Sequence, residues 1–125
     1  MGVPRISEAE WEIMEVLWER SPLRASEVAE ALEERRDWSP TTVRTMLARL
    51  LRKGALKHEQ QGRRYLYRPA VSQEACRAAE TESFVDRVFA GRPSPMLAWF
   101  VEEQKLTDAD LVELQKIIRE RRKNS

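Results

Sequence analysis

The chain of 125 residues has one cysteine and one histidine, and these two scarcities exclude several chemistries at once. A lone Cys76 makes no internal disulfide and no cluster of thiolate metal ligands, which removes a disulfide framework and a zinc or copper staple. It reads as a helix-packing residue. His58 reads as a strand surface residue. One histidine, one cysteine and no carboxylates grouped with either leave little from which to build an acid–base or nucleophilic site, so no enzyme, cofactor or metal is expected. Long apolar runs are missing too. The longest, Met96 to Val101, is far short of the roughly 20 residues of a membrane helix, so no membrane insertion is expected. Met1 to Arg5 lacks the apolar stretch of a secretory signal, and a cytoplasmic protein is expected.

What the chain does have is charge, unevenly placed. Residues 1–37 hold ten acids against five bases, whereas Trp38 to Ala70 holds eight bases against the single acid Glu59, a net of +7 in a chain whose total is +1. Affinity for nucleic acid comes largely from neutralising phosphates and releasing their counterions, so such a stretch is the footprint of a nucleic-acid reader.

Local patterns place that charge on a winged helix-turn-helix. Ser7-Glu8-Ala9-Glu10 fits a capping box opening a first helix near Glu8, with Ile13, Met14, Val16, Leu17 and Trp18 as its core side. Ser26 is a plausible cap for a second helix through Val28, Ala29 and Leu32. Ser39 as cap and Pro40 at the first helical position open a third helix that runs to Gly54. At 100° per residue its core side is Val43, Leu47, Leu50 and Leu51, its outer side Thr41, Thr42, Thr45, Arg49 and Arg52, with Arg44 on a flank. Small hydroxyls followed by arginines suit a major groove, and the helix holds no acid, so the positive end of its dipole is left for a phosphate. Ala55–Glu59 and Arg64–Arg68 alternate as strands about Gln60-Gln61-Gly62-Arg63, forming the wing. Phosphate contacts are assigned to Thr41, Arg49, Arg52, Lys53, Arg63, Arg64 and Tyr65, while Tyr67 is equally well read as packing the sheet onto the third helix.

From Ser72 three helical segments follow: one ended by Gly91 and Pro93, one over Ser94–Lys105, and one opened by a second capping box at Thr107 and Asp110. Their apolar residues exceed what three short helices can bury alone, so Phe84, Val88, Leu97, Phe100, Leu111, Leu114, Ile117 and Ile118 are assigned to a twofold dimer interface. The expected architecture is mainly α: a winged-helix DNA-binding domain over residues 1–71 and a three-helix dimerisation domain over 72–125. The alternative of a winged-helix adaptor without DNA contact would put apolar or acidic groups on the outer face of the third helix, where threonines and arginines stand.

Ala9-Glu10-Trp11-Glu12-Ile13-Met14 with Leu17-Trp18, then Thr42-Val43-Arg44-Thr45-Met46-Leu47-Ala48-Arg49-Leu50 and Lys53-Gly54, together resemble the penicillinase-repressor family of bacterial transcription factors over nearly the whole chain. The resemblance implies a homodimeric winged-helix repressor on palindromic operators ahead of resistance genes, with Thr42, Arg44 and Thr45 matching the base-reading positions. It also implies release through a membrane-bound sensor metalloprotease that triggers cleavage in the dimerisation region, commonly at an Asn-Phe bond. The matching bond here is Trp99-Phe100, which keeps the phenylalanine and not the asparagine. The family's copper-responsive branch carries paired cysteines near its carboxyl end, which this chain lacks, so the resemblance brings no copper sensing.

Overall fold

The computed structural model describes residues 2–124 and follows the chain as α1 (Glu8–Glu19), α2 (Ala25–Leu32), α3 (Pro40–Lys53), β1 (Leu56–Gln61), β2 (Arg64–Pro69), α4 (Gln73–Val88), α5 (Pro93–Glu102) and α6 (Asp108–Lys123). The class is mainly α with a two-stranded antiparallel sheet, and residues up to the hairpin form a winged helix. No helix among the described residues is long and apolar enough to cross a membrane. Two compact units divide the chain, residues 1–80 and 81–125.

In the first unit α1, α2 and α3 bury Ile13, Met14, Leu17, Val28, Leu32, Val43, Leu47 and Leu50 together. Removal of these side chains from water is the main force assembling the unit. Cys76 joins the same cluster, so the opening turns of α4 belong with the winged helix. Burial pushes the Cys76 thiol up from its ordinary value, as befits a packing residue rather than a nucleophile. Trp18 Nε1 donates to the Val71 carbonyl at 2.9 Å, fastening α1 to the chain that leaves the hairpin.

The local signals at α1 and α3 operate as expected. Ser7 Oγ accepts from the Glu10 amide at 3.1 Å while Glu10 Oε1 accepts from the Ser7 amide at 2.9 Å. Ser39 caps α3 through the Thr42 amide, Pro40 sits at its first position, and Gly54 ends it at φ 84°, a left-handed conformation glycine adopts without a Cβ penalty. The core side of α3 differs in one place. Met46 is 6% exposed and Leu51 only partly buried, because the unbranched methionine bends into the core from a position the helical wheel puts on its edge.

Other boundaries move for identifiable reasons. Ser26 is not the cap of α2: the helix opens at Ala25 with Arg24 as cap, and Glu27 accepts from the Arg24 amide at 2.9 Å. Leu23 is held in the sheet just before it, exchanging backbone hydrogen bonds with Tyr67 at 2.8 and 3.0 Å, so the chain is free to turn helical only afterwards. The hairpin turn is Gly62-Arg63 and not four residues, since Gln60 pairs with Tyr65 and Gln61 with Arg64. Gly62 at φ 66° supplies the positive angle a two-residue turn needs.

In the second unit the Thr107–Asp110 capping box opens α6. Pro93 begins α5 instead of stopping the helix before it, a position where a missing N–H costs nothing. Phe84, Val88, Leu97, Phe100, Leu114, Ile117 and Ile118 are all exposed, and Leu111 is partly buried.

Glu10 is 2% exposed, and Lys53 donates to its carboxylate and, at 3.0 Å, to the Arg5 carbonyl. Burial opposes ionisation of Glu10, but the hydrogen bonds from Lys53 and Ser7 outweigh it and hold the carboxyl below its ordinary value of 4.5. Lys53→Met should therefore lower the unfolding free energy by about 1–3 kcal/mol in urea titrations near neutral pH. A carboxyl whose folded value is depressed contributes above its unfolded value and loses that contribution as the pH falls through the folded one. The gap between wild type and variant should thus narrow as the pH drops below 4.5; equal stabilities at neutral pH would refute the role given to this pair.

Candidate nucleic-acid interface

Three elements converge on a cleft of about 380 Å³: the start of α2 through Arg24, Ala25 and Ser26, the flank of α3 through Arg44, and the wing through Arg63, Arg64, Tyr65 and Tyr67. Four guanidinium groups line it and no acidic side chain does. The Leu23–Tyr67 bridge brings them together, since it fixes the residue before Arg24 to the strand that carries the two tyrosines. Arg24 is aimed by Glu27, whose Oε1 accepts from its Nε at 3.1 Å. The amides of Ala25 and Ser26, in the first turn of α2, have no carbonyl four residues back within the helix, and Glu27 of the same turn is engaged by Arg24.

The wing supplies an aromatic face beside these charges. His58 lies 4.8 Å from Tyr65 and 5.9 Å from Tyr67, ring centre to ring centre. Tyr65 is 45% exposed, whereas Tyr67 packs against the core. Burial raises the Tyr67 phenol, Tyr65 adding to the rise and Arg44 opposing it, so its hydroxyl stays protonated and able to donate at neutral pH.

The other flank of α3 carries a second cleft, of about 290 Å³, lined by Ala9, Trp38, Thr41, Thr42, Thr45, Met46 and Arg49. Residues assigned to α3 from the sequence thus separate into two groups: Arg44 faces the wing, while Thr41, Thr42, Thr45 and Arg49 border the side nearer α1. Arg52 is exposed on the last turn and lines neither. Lys53 requires correction, because its ammonium is engaged by Glu10 and the Arg5 carbonyl and lines neither cleft with the other cations.

Sequence reasoning missed Arg24 and Ser26 as members of the wing cleft, and Trp38 and Met46 as walls of the second. A basic residue just before an acid-capped helix start was the available signal for Arg24. The Trp99-Phe100 bond lies inside α5, with the Trp99 carbonyl accepting from the Glu103 amide at 2.9 Å.

Comparison with known proteins gives consistent matches over most of the chain. The profile of the family described as penicillinase repressor matches residues 6–120. The penicillinase repressor of Bacillus licheniformis is 36% identical over 118 residues, 94% of this chain and 92% of that protein. The methicillin resistance regulatory protein MecI of Mammaliicoccus sciuri is 30% identical over 113 residues, 90% of this chain and 92% of that protein. Among solved structures, the DNA-binding domain of the repressor BlaI is similar at a TM-score of 0.54 and 42% identity, covering 60% of this chain and 93% of that one. The monomeric form of Bacillus licheniformis BlaI in complex with the blaP half-operator gives 0.52 and 42%, covering 58% and 89%.

If the wing cleft receives a phosphate backbone, Arg24→Ala and Arg63→Ala should each reduce the slope of log affinity against log salt by about one on a duplex of random sequence. Lys53→Met should leave that slope unchanged. Slopes unaltered in the two arginine variants would show that the cleft faces away from the duplex.

Proposed function

The chain belongs to the penicillinase repressor family, a family of repressors and not of enzymes, and we propose that it represses transcription by occupying operator DNA as a homodimer. The observation that carries this proposal is the convergence of four arginines from α2, α3 and the wing on one acid-free cleft. A polyanion is the ligand whose charge such a surface neutralises.

In the proposed complex α3 lies in a major groove. Thr42, Arg44 and Thr45 meet base edges, with Arg44 carrying the bidentate hydrogen bonds to guanine that its planar fork permits. Thr41, Arg49 and Arg52 hold phosphates beside it, and Arg63, Arg64 and Tyr65 hold them from the wing. Arg24 and the α2 amides at Ala25 and Ser26 add a backbone contact that fixes the angle of approach. Two copies related by a twofold axis present two such helices about 34 Å apart, or a multiple of that spacing, along one face of a palindrome. Promoter occupancy then blocks transcription, the regulated genes being of the antibiotic-resistance type.

Dimerisation is assigned to the second unit. Leu97, Val101, Val112, Ile117 and Ile118 are each more than half exposed in the single chain, and an isologous partner buries both copies of such a surface at once. An inducing signal that reaches this unit, through a membrane-bound sensor metalloprotease, would release the operator by separating the copies. The Trp99-Phe100 bond is available to proteolysis only when α5 opens locally, because its backbone is hydrogen-bonded within the helix.

Arg44→Ala should cost about 1–3 kcal/mol on the duplex enriched from a random-sequence pool and little on unselected duplex. Equal losses on both would remove Arg44 from base reading. The enriched duplex should be a palindrome. Ile117→Glu should sediment as a monomer and lose affinity for the palindrome while keeping that for one half of it; a variant that sediments as wild type would displace the interface from this face.

A further inference from the structure

Hydrogen bonds inside α3 restrict what two of its outward residues can offer a base. Thr45 Oγ1 donates to the Thr41 carbonyl at 3.0 Å, one turn back. Thr42 Oγ1 lies 3.0 Å from Ser39 Oγ, the hydroxyl that also caps the helix by accepting from the Thr42 amide at 3.1 Å. A threonine that returns its hydroxyl proton to the preceding turn has a fixed rotamer, and its methyl group is held in one place. Both side chains border the cleft of about 290 Å³ whose other walls are Ala9, Trp38, Thr41, Met46 and Arg49. The Trp38 ring is itself held, packed on the core with the Arg36 guanidinium 5.6 Å from its centre, and Arg36 is paired with Glu12. The hydroxyls of Thr42 and Thr45 are thus engaged within the protein, and what these two side chains leave toward the cleft, beside the Met46 thioether and the Trp38 indole, is methyl, with Arg49 as the charged member of the lining.

Of the base edges displayed in a major groove, only that of thymine carries an apolar group, its 5-methyl. We infer that the Thr42–Thr45–Trp38 cleft is a thymine-methyl site, and that Thr45 reads sequence through its methyl group and not through its hydroxyl. The inference rests on the DNA-binding proposal and makes it more specific. Arg44 and the wing supply hydrogen bonds and charge on one flank of α3, while the opposite flank selects by apolar contact.

The probe is the duplex enriched by the full-length protein from a random-sequence pool, remade with uracil in place of each thymine in turn. That change deletes one methyl group and keeps every Watson–Crick hydrogen bond. At one thymine in each half-site, uracil should weaken wild-type binding by about fourfold, the size of one buried methyl. T45V keeps the methyl and removes the hydroxyl, so it should bind the thymine duplex about as wild type does and keep the penalty for uracil. T45S keeps the hydroxyl and removes the methyl from both copies, so it should bind the thymine duplex about fourfold more weakly per half-site, about sixteenfold for the dimer, and no longer distinguish uracil. A T45V that loses affinity while T45S retains it would overturn the inference in favour of a hydroxyl contact. So would uracil substitutions without effect, or an enriched half-site without thymine. No enrichment of any duplex would overturn the DNA-binding proposal itself and this inference with it.

Discussion

Glu10 is the one charged residue buried in the core among those described, and much of the winged helix is organised around keeping it ionised. A carboxylate taken out of water is costly unless it is paired and hydrogen-bonded, and here two donors meet it, the Ser7 amide and the Lys53 ammonium. Lys53 reaches it from 43 positions along the chain. Because Lys53 is the last residue of α3, the pair fixes the end of that helix against the beginning of α1. The opposite surface of α3 is then left to solvent, and its position relative to the wing is set by the core and not by the ligand.

The same placement explains how a chain of net charge +1 presents a cationic surface. Arg35 and Arg36 lie against Glu15 and Glu12 of α1, so bases of the acidic amino-terminal stretch are partnered within it. Exposed pairs of this kind add little stability; their effect is to keep positive charge off the α1 side. Of the eight bases between residues 38 and 70, only Lys53 is ion-paired with a described acid. Three of the remaining seven, Arg44, Arg63 and Arg64, line the wing cleft together.

Features that depend on neighbours three or four residues away were legible in the sequence. The capping boxes at Ser7 and Thr107, the Ser39-Pro40 start and the Gly54 stop all follow from local backbone satisfaction, and the charge on α3 and the wing needed only counting. Features that depend on packing were not. Lys53 reads as one more phosphate contact until the fold brings it to Glu10. Arg24 lies twenty or more positions from any other basic member of the wing cleft and joins it only through the Leu23–Tyr67 bridge. Gln60 and Gln61 look like turn residues by composition, yet they pair with Tyr65 and Arg64 because Gly62 lets the chain reverse in two residues.

The Leu23–Tyr67 bridge also bears on how the protein meets its ligand. By adding a short third edge to the hairpin, it ties the wing to the segment between α1 and α2, and a hairpin of two strands alone is marginally stable in water. A wing so anchored arrives at its angle to α3 before contact. Little conformational freedom would remain to be surrendered in the proposed complex, so sequence preference would be expressed there as a rigid template's tolerance for groove width, and not as a flexible arm's capacity to adapt.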